Sequence, residues 1–306
     1  MNNPQIFITG VTGFVGQNLS NYLEKNFDIQ GISRNKNNCS LTFDMFFRGN
    51  HSYGALIHLA GKAHDLKNTS QDKDYYDVNF KLTKRLFDEF LKSEAKQFIY
   101  ISSVKAAADA VEGILTEEVT PNPVTVYGKS KLMAEEYILA NLAVDKKVYI
   151  LRPCMIHGPG NKGNLNLLYQ LVAKGLPWPL GAFKNQRSFL SIENLCFVIK
   201  ELLENSFIPS GVYQVADDKS LSTNELIQLL GNSMGKKSLI LRLSQNWISS
   251  LARLGDHLHL PLNSERLQKL TENYVVSNEK IVKVIGKELP VSAVEGLMLT
   301  FKSFRN

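Results

Sequence analysis

Residues 5–16 read QIFITGVTGFVG, an apolar run followed by glycines at 10, 13 and 16 and then by an amphipathic stretch. Few features restrict a fold as tightly. Gly10 ends a strand, Gly13 lies in the turn and Gly16 opens a helix. Together they supply a tight turn, room for a pyrophosphate to reach the backbone, and close helix-to-strand packing. The helix start offers unpaired N–H groups and a partial positive charge to phosphate. Thr12, Phe14 and Val15 fall in the same turn and are candidate contacts.

The segments that follow keep the same alternation. DIQGIS, SLTFD, GALIHLAG, KQFIYISS and KVYILRP are short, nearly continuous apolar runs. Amphipathic patterns separate several of them: Val15, Leu19, Tyr22 and Leu23 share one helical face, and Phe80, Leu82, Leu86, Phe87, Phe90 and Leu91 do much the same. Apolar strands alternating with helices predict an α/β fold, a doubly wound parallel sheet covered on both sides. We expect a dinucleotide-binding domain over 1–155 and a smaller, mainly helical substrate lobe over 156–306. The boundary is interleaved, since a strand near 212–216 is a candidate to return to the main sheet.

Bulk composition removes other classes. With 44% hydrophobic and 21% charged residues among 306, the chain is not disordered. No apolar run reaches the ~18 residues of a membrane span, and the first residues do not resemble a secretory signal. Cys39, Cys154 and Cys196 are far apart, which suits a reducing cytosol and no metal. The HLH at 257–259 reads as helix surface or loop. The net charge of +6 is scattered rather than striped, arguing against nucleic acid and for an anionic small molecule.

The GxxGxxG spacing of ITGVTGFVG resembles the extended branch of the short-chain dehydrogenase/reductases, which holds nucleotide-sugar epimerases, dehydratases and reductases. VYGKSKLMAEEYI strengthens the likeness: Tyr127 and Lys131 are four apart and share one helix face. The resemblance implies that Tyr127 is the general acid/base, Lys131 the ribose-binding cation that tunes it, and Ser103 (rather than Ser102) the partner of the reacting oxygen. A phenol near pKa ~10 needs a neighbouring cation to serve near neutrality. Further implied cofactor contacts are Asp44 and Met45, then Leu59, Ala60 and Gly61 of HLAG, Asn79 of DVN, and Pro153 of RPCMIHGPG. His157 stands where the family commonly has tyrosine, so His58 and His157 read as packed histidines. The likeness covers nearly the whole chain, more weakly after about residue 230.

The implied substrate is a nucleoside-diphosphate sugar, closest to the UDP-N-acetylhexosamine type. Arg187 matches the family's pyrophosphate arginine, and Asn164 lies where the sugar-phosphate is contacted. Arg266 is either a second such arginine or an exposed helical one; Trp178 either faces the nucleobase or, as is common for a tryptophan in a Pro-rich turn, is core. Dehydratases carry Asp-Glu after the catalytic hydroxyl, whereas Val104 and Lys105 follow Ser103 here, which leaves a 4-keto-sugar reductase or a 4-epimerase. A carboxylate at the end of the second strand would favour NAD(H). Ser33 and Arg34 stand there instead and suit a 2′-phosphate, which favours NADP(H) and tilts the reading toward the reductase. A non-catalytic dinucleotide sensor is the remaining alternative. The family often forms a homodimer through two helices, here the one after DVN and the Tyr127 helix, where Phe80, Phe87 and Phe90 serve either that face or the core.

Overall fold

The computed structural model describes residues 4–35, 41–62, 71–161, 165–258 and 263–305. In chain order come β1 (Gln5–Thr9), α1 (Phe14–Leu23), β2 (Asp28–Ser33), β3 (Leu41–Thr42), α2 (Phe43–Arg48), β4 (Ala55–His58), α3 (Asp72–Tyr75) and α4 (Leu82–Lys92). A π-helical turn, Tyr76–Lys81, joins α3 to α4. Then follow β5 (Gln97–Ile101), β6 (Ile114–Leu115), α5 (Val126–Ala140), β7 (Lys147–Pro153), β8 (Met155–His157), α6 (Leu165–Ala173), β9 (Phe189–Ser191), α7 (Ile192–Glu204) and β10 (Gly211–Val215). The chain finishes with α8 (Thr223–Ser233), α9 (Gln245–Leu258), α10 (Ser264–Thr271), β11 (Val275–Val276), α11 (Glu279–Ile285) and α12 (Ala293–Ser303).

Seven strands form one parallel sheet in the order β10-β7-β5-β4-β1-β2-β3. Side chains alternate between its faces, as the pleat requires. Ile6, Ile8, Ile57, Ile99 and Leu151 enter one core with α1 and α7, while Phe7, Leu56, Phe98, Tyr100 and Ile150 enter the other with α4 and α5. This is the Rossmann-type doubly wound architecture. Because β1 is flanked by β2 and β4, the strand order reverses there and opens a crevice at the carboxyl edge. The late segment 211–215 pairs with β7 in the main sheet.

A third core lies under α6, α8, α9 and α12, with Trp178 buried in it. The Trp178 indole donates to Asn224 Oδ1 at 3.1 Å, a structural bond. The two small sheets, β8–β9 and β6–β11, tie this lobe to the carboxyl edge of the main one. Phe87 and Phe90 are fully buried, so they serve the core. Phe80 is half-buried and meets Tyr137 edge-on with centroids 6.4 Å apart.

Candidate active site

The glycine turn is built as its spacing demands. Gly10 has φ +72°, and a Cβ there would come within 2.8 Å of the Ala60 nitrogen. A Cβ on Gly16 would meet the Gly10 carbonyl at 2.3 Å, so β1, the turn and α1 close up only without side chains. Thr12 is exposed, with its carbonyl accepting from the Gln17 side chain at 3.1 Å. Phe14 and Val15 are half-buried against the first core. At Gly13, which caps α1, no side chain bonds the helix start, and no acid lies in the first turn. By contrast α5, α7, α8, α10 and α12 are capped by Thr, Ser or Asn side chains. The free N–H groups of α1 fit an anionic pyrophosphate.

Along the neighbouring strands the candidate cofactor residues share the same edge. Thr9 pairs with Ile32, which puts Ser33 level with Gly10, and Ser33 pairs in turn with Thr42 at the foot of α2. Asp44 and Met45 occupy the first turn of α2, both exposed. Arg34 is exposed, and the Ser33 hydroxyl donates to the Asn35 carbonyl at 2.6 Å. Leu59 and Ala60 bond back to Thr9 through N–H groups at 3.3 and 3.1 Å. His58 is fully buried between the Thr9 and Thr83 hydroxyls at 2.7 and 2.9 Å. Burial, then the Lys131 charge, depress it to about 3, so it is a neutral packed imidazole.

Asn79 sits fully buried in the π-helical turn, a distortion common at functional positions. Its amide is fixed on both sides: Oδ1 accepts from Lys62 N at 2.8 Å, and Nδ2 donates to the Lys62 carbonyl and Ser130 Oγ at 3.1 and 3.0 Å. A Cβ on Gly61 would lie 3.1 Å from Lys131 Nζ and 3.2 Å from Asn79 Oδ1. Gly61, Asn79 and Lys131 therefore meet at one point, a cradle left open by a missing side chain. Pro153 closes β7, buried beside Val215.

The catalytic candidates converge beyond β5. Ser102 and Ser103 divide the labour: Ser102 donates to buried Glu135, whereas Ser103 faces Tyr127 and accepts from Lys105 N at 3.2 Å. Thr125 caps α5 by accepting from Gly128 N at 3.2 Å, and Asp109 binds Val124 N and Thr125 N at 2.6 and 2.9 Å. This latch sets the helix start that presents Tyr127. Gly128 is required as well, since a Cβ there would strike the Lys105 carbonyl at 2.4 Å.

Burial pushes the Tyr127 phenol up, and the Ser103 hydroxyl pulls it part of the way back. Lys131 is not among the groups that shift the phenol. Lys131 Nζ donates instead to the Ile101 carbonyl at 2.9 Å and lies 4.8 Å from the Tyr100 ring centre. Desolvation lowers its pKa to about 8, with Glu135 opposing.

On the substrate side, Arg187 lies between Leu221 and Tyr274 in short bridges. Its guanidinium reaches Glu272 at 3.6 Å and donates to the Lys269 carbonyl. Sequence reasoning passed over Lys105 except as a missing acid. Its ammonium lies 4.2 Å from the Tyr274 ring centre, donates to the Asp109 carbonyl at 2.7 Å, and feels the charges of Glu272, Arg187 and Lys269. Burial lowers its pKa. Lys105 and Arg187 thus make a half-buried cationic corner two residues from Ser103. Arg266 is exposed on α10, and Asn164 lies outside the described residues. His157 is buried, its Nδ1 2.9 Å from Thr300 Oγ1 and its Nε2 3.5 Å from Asp217. Among the described residues no cluster of His, Cys, Asp and Glu is arranged to hold a metal ion.

The model of the NAD dependent epimerase/dehydratase family matches residues 6–216, a span running from β1 through β10. The chain belongs to that family. It is therefore an enzyme of the extended short-chain dehydrogenase/reductase type. UDP-glucose 4-epimerase of Vibrio cholerae is 29% identical, over 98% of this chain and 95% of that protein. An Escherichia coli O157:H7 relative, N-acetyl-alpha-D-glucosaminyl-diphospho-ditrans,octacis-undecaprenol 4-epimerase, is 27% identical over 92% of this chain and 85% of its own. The crystal structure of UDP-N-acetylglucosamine 4-epimerase from Bacillus cereus superposes with TM-score 0.78 at 18% identity, over 99% of this chain and 100% of that one. Among the described residues of this chain, none forms a helix long and apolar enough to cross a membrane.

Proposed function

We propose that the chain is a 4-epimerase of a diphosphate-linked hexose, with a nucleoside diphosphate as the carrier. The observation that carries the C4 chemistry is the convergence of Ser103, Tyr127 and Lys131 at the carboxyl edge, next to a cationic corner and an uncapped helix start. Tyr127 takes the proton of the sugar's C4 hydroxyl and returns it, while Ser103 hydrogen-bonds the same oxygen. Lys131, beside Gly61 and Asn79, holds the cofactor ribose hydroxyls. Arg187 and Lys105 hold the diphosphate, as arginine forks and lysine point charges do. A bound nicotinamide dinucleotide supplies the acceptor and donor of the C4 hydride and, when oxidised, a positive charge favouring the phenolate. Two relatives matching nearly end to end are 4-epimerases, which supports this reading over the reductase.

The reductase remains the second reading because of Ser33 and Arg34, where an NAD-selecting acid is missing. The two separate in one experiment. The purified protein is incubated with UDP-N-acetylglucosamine or UDP-glucose, without added cofactor, and C4 configuration is followed by NMR. Interconversion with no net NAD(P)H change is the expected result. No interconversion, together with stoichiometric NADPH oxidation by a UDP-4-keto sugar, would give the site to the reductase. Tyr127→Phe should abolish either turnover while dinucleotide binding persists.

A further inference from the structure

Helix α9 carries two apolar faces. Ile248, Ala252 and Gly255 are buried in the third core, as an amphipathic helix requires. Trp247, Leu251, Leu254 and Leu258 fall at i, i+4, i+7 and i+11, and so form a second stripe. They are 57%, 36%, 49% and 59% exposed. One exposed leucine is ordinary, whereas four such residues along one helix mark a surface for something apolar.

Arg253 beside the stripe, and the charge of the segment that leads into α9, point to what covers it. From 236 to 258 the chain has Lys236, Lys237, Arg242 and Arg253 against one acid, Asp256. All four cations are exposed, and the single acid, Asp256, accepts from Ser264 N and Oγ at 3.0 and 2.6 Å. Leu239, within the same stretch, is 59% exposed. The outward positions of α9 beside the stripe are Asn246, Ser250, Arg253 and His257. A tryptophan and leucines on one stripe, with cationic and small polar residues beside it, match a helix lying in the plane of an anionic bilayer.

We propose that the outer face of α9 docks on an anionic lipid surface. Helix α9 packs on α10, and α10 supplies the Lys269 carbonyl that holds Arg187. The docked face therefore stands one helix away from the cationic corner. The proposal does not depend on the reaction proposed above, because its readout involves no turnover.

The full chain is mixed with vesicles of phosphatidylcholine containing phosphatidylglycerol, or of phosphatidylcholine alone, and sedimented. The chain has two tryptophans. Trp178 is 3% exposed, so a change in emission reports Trp247. Pelleting with anionic vesicles, a blue shift of emission, and reversal by salt are expected. Leu251→Glu with Leu254→Glu should lower partitioning by roughly tenfold per leucine, with unchanged circular dichroism. Trp247→Phe should keep pelleting but lose the blue shift. Three outcomes overturn the proposal: no pelleting with anionic vesicles, equal pelleting with neutral ones, or a dimer-to-monomer shift of the glutamate variant in sedimentation velocity, which would assign the face to a second copy.

Discussion

Replacing Glu135 by Gln tests whether the buried polar core behind the active site does two jobs at once. The Glu135 and Arg152 side chains are 1% and 4% exposed, and Arg152 Nε lies 3.0 and 3.1 Å from the two carboxylate oxygens. Removing one charge leaves the guanidinium buried without compensation, which costs about 3–5 kcal/mol. That is a large share of the about 5–15 kcal/mol by which domains are folded. The second effect is electrostatic. Lys131 sits at about 8 because burial lowers it and Glu135 holds it up, so the variant moves it further down. As Lys131 loses its proton it loses its charge, and dinucleotide binding weakens as pH rises through its pKa. In Glu135→Gln that weakening should begin at lower pH. Urea unfolding near neutral pH gives the stability loss, and calorimetric titration with NAD across pH 6–9 gives the binding midpoint. Glu135→Leu combined with Arg152→Met removes both charges and should be less destabilised than Glu135→Gln alone. A loss under about 1 kcal/mol with an unmoved midpoint would refute both roles.

Gly10→Ala combines a left-handed φ of +72° with a Cβ only 2.8 Å from the Ala60 backbone. The conformational cost alone is about 1–2 kcal/mol, and dinucleotide affinity should fall more than tenfold in a calorimetric titration; unchanged affinity would contradict the packing argument. His58 is depressed to about 3 by burial first and the Lys131 charge second. Its contribution is fully present above pH ~6.5 and is lost as pH falls toward 3, with about 2 kcal/mol gone by pH 5. Urea midpoints of the native chain should therefore fall from pH 7 to 5 more than those of His58→Asn, and parallel slopes would exclude His58 as the cause. Arg34→Asp should weaken NADPH binding far more than NADH binding, and an unchanged ratio would remove the support for the reductase reading.

The parallel sheet and the glycine turn were legible because both rest on local rules. Apolar runs of strand length, and glycines where a Cβ has no room, leave few alternatives. The packing of His58 and the core role of Trp178 were legible for a related reason, since each is a large group in an apolar stretch. Lys105 was not legible as part of the cationic corner, because its surroundings (Tyr274, Glu272, Arg187) come from segments over 80 residues away in sequence. The partner of Lys131 was not legible either. The i, i+4 spacing fixes a shared helix face, but not that Lys131 would turn to the Ile101 carbonyl. Phe87 and Phe90 could not be divided between core and interface by periodicity, which marks an apolar face without naming its neighbour.

The choice between epimerase and reductase turns on how a dinucleotide is held rather than on the chemistry at C4, which both share. An epimerase must keep its cofactor through both half-reactions, whereas a reductase must release it. The side chains able to keep it are buried: Asn79, clamped by Lys62 and Ser130, and Lys131 beside it. The contact that would select a 2′-phosphate is not. Arg34 is exposed, and the Ser33 hydroxyl is already spent on the Asn35 carbonyl. An exposed ion pair contributes at most about 1 kcal/mol and is screened by salt. Selectivity resting on Arg34 alone would therefore be roughly fivefold and would fade as salt is raised. Retention through the buried cradle would persist in high salt, and dinucleotide carried through a high-salt purification is what the epimerase reading requires.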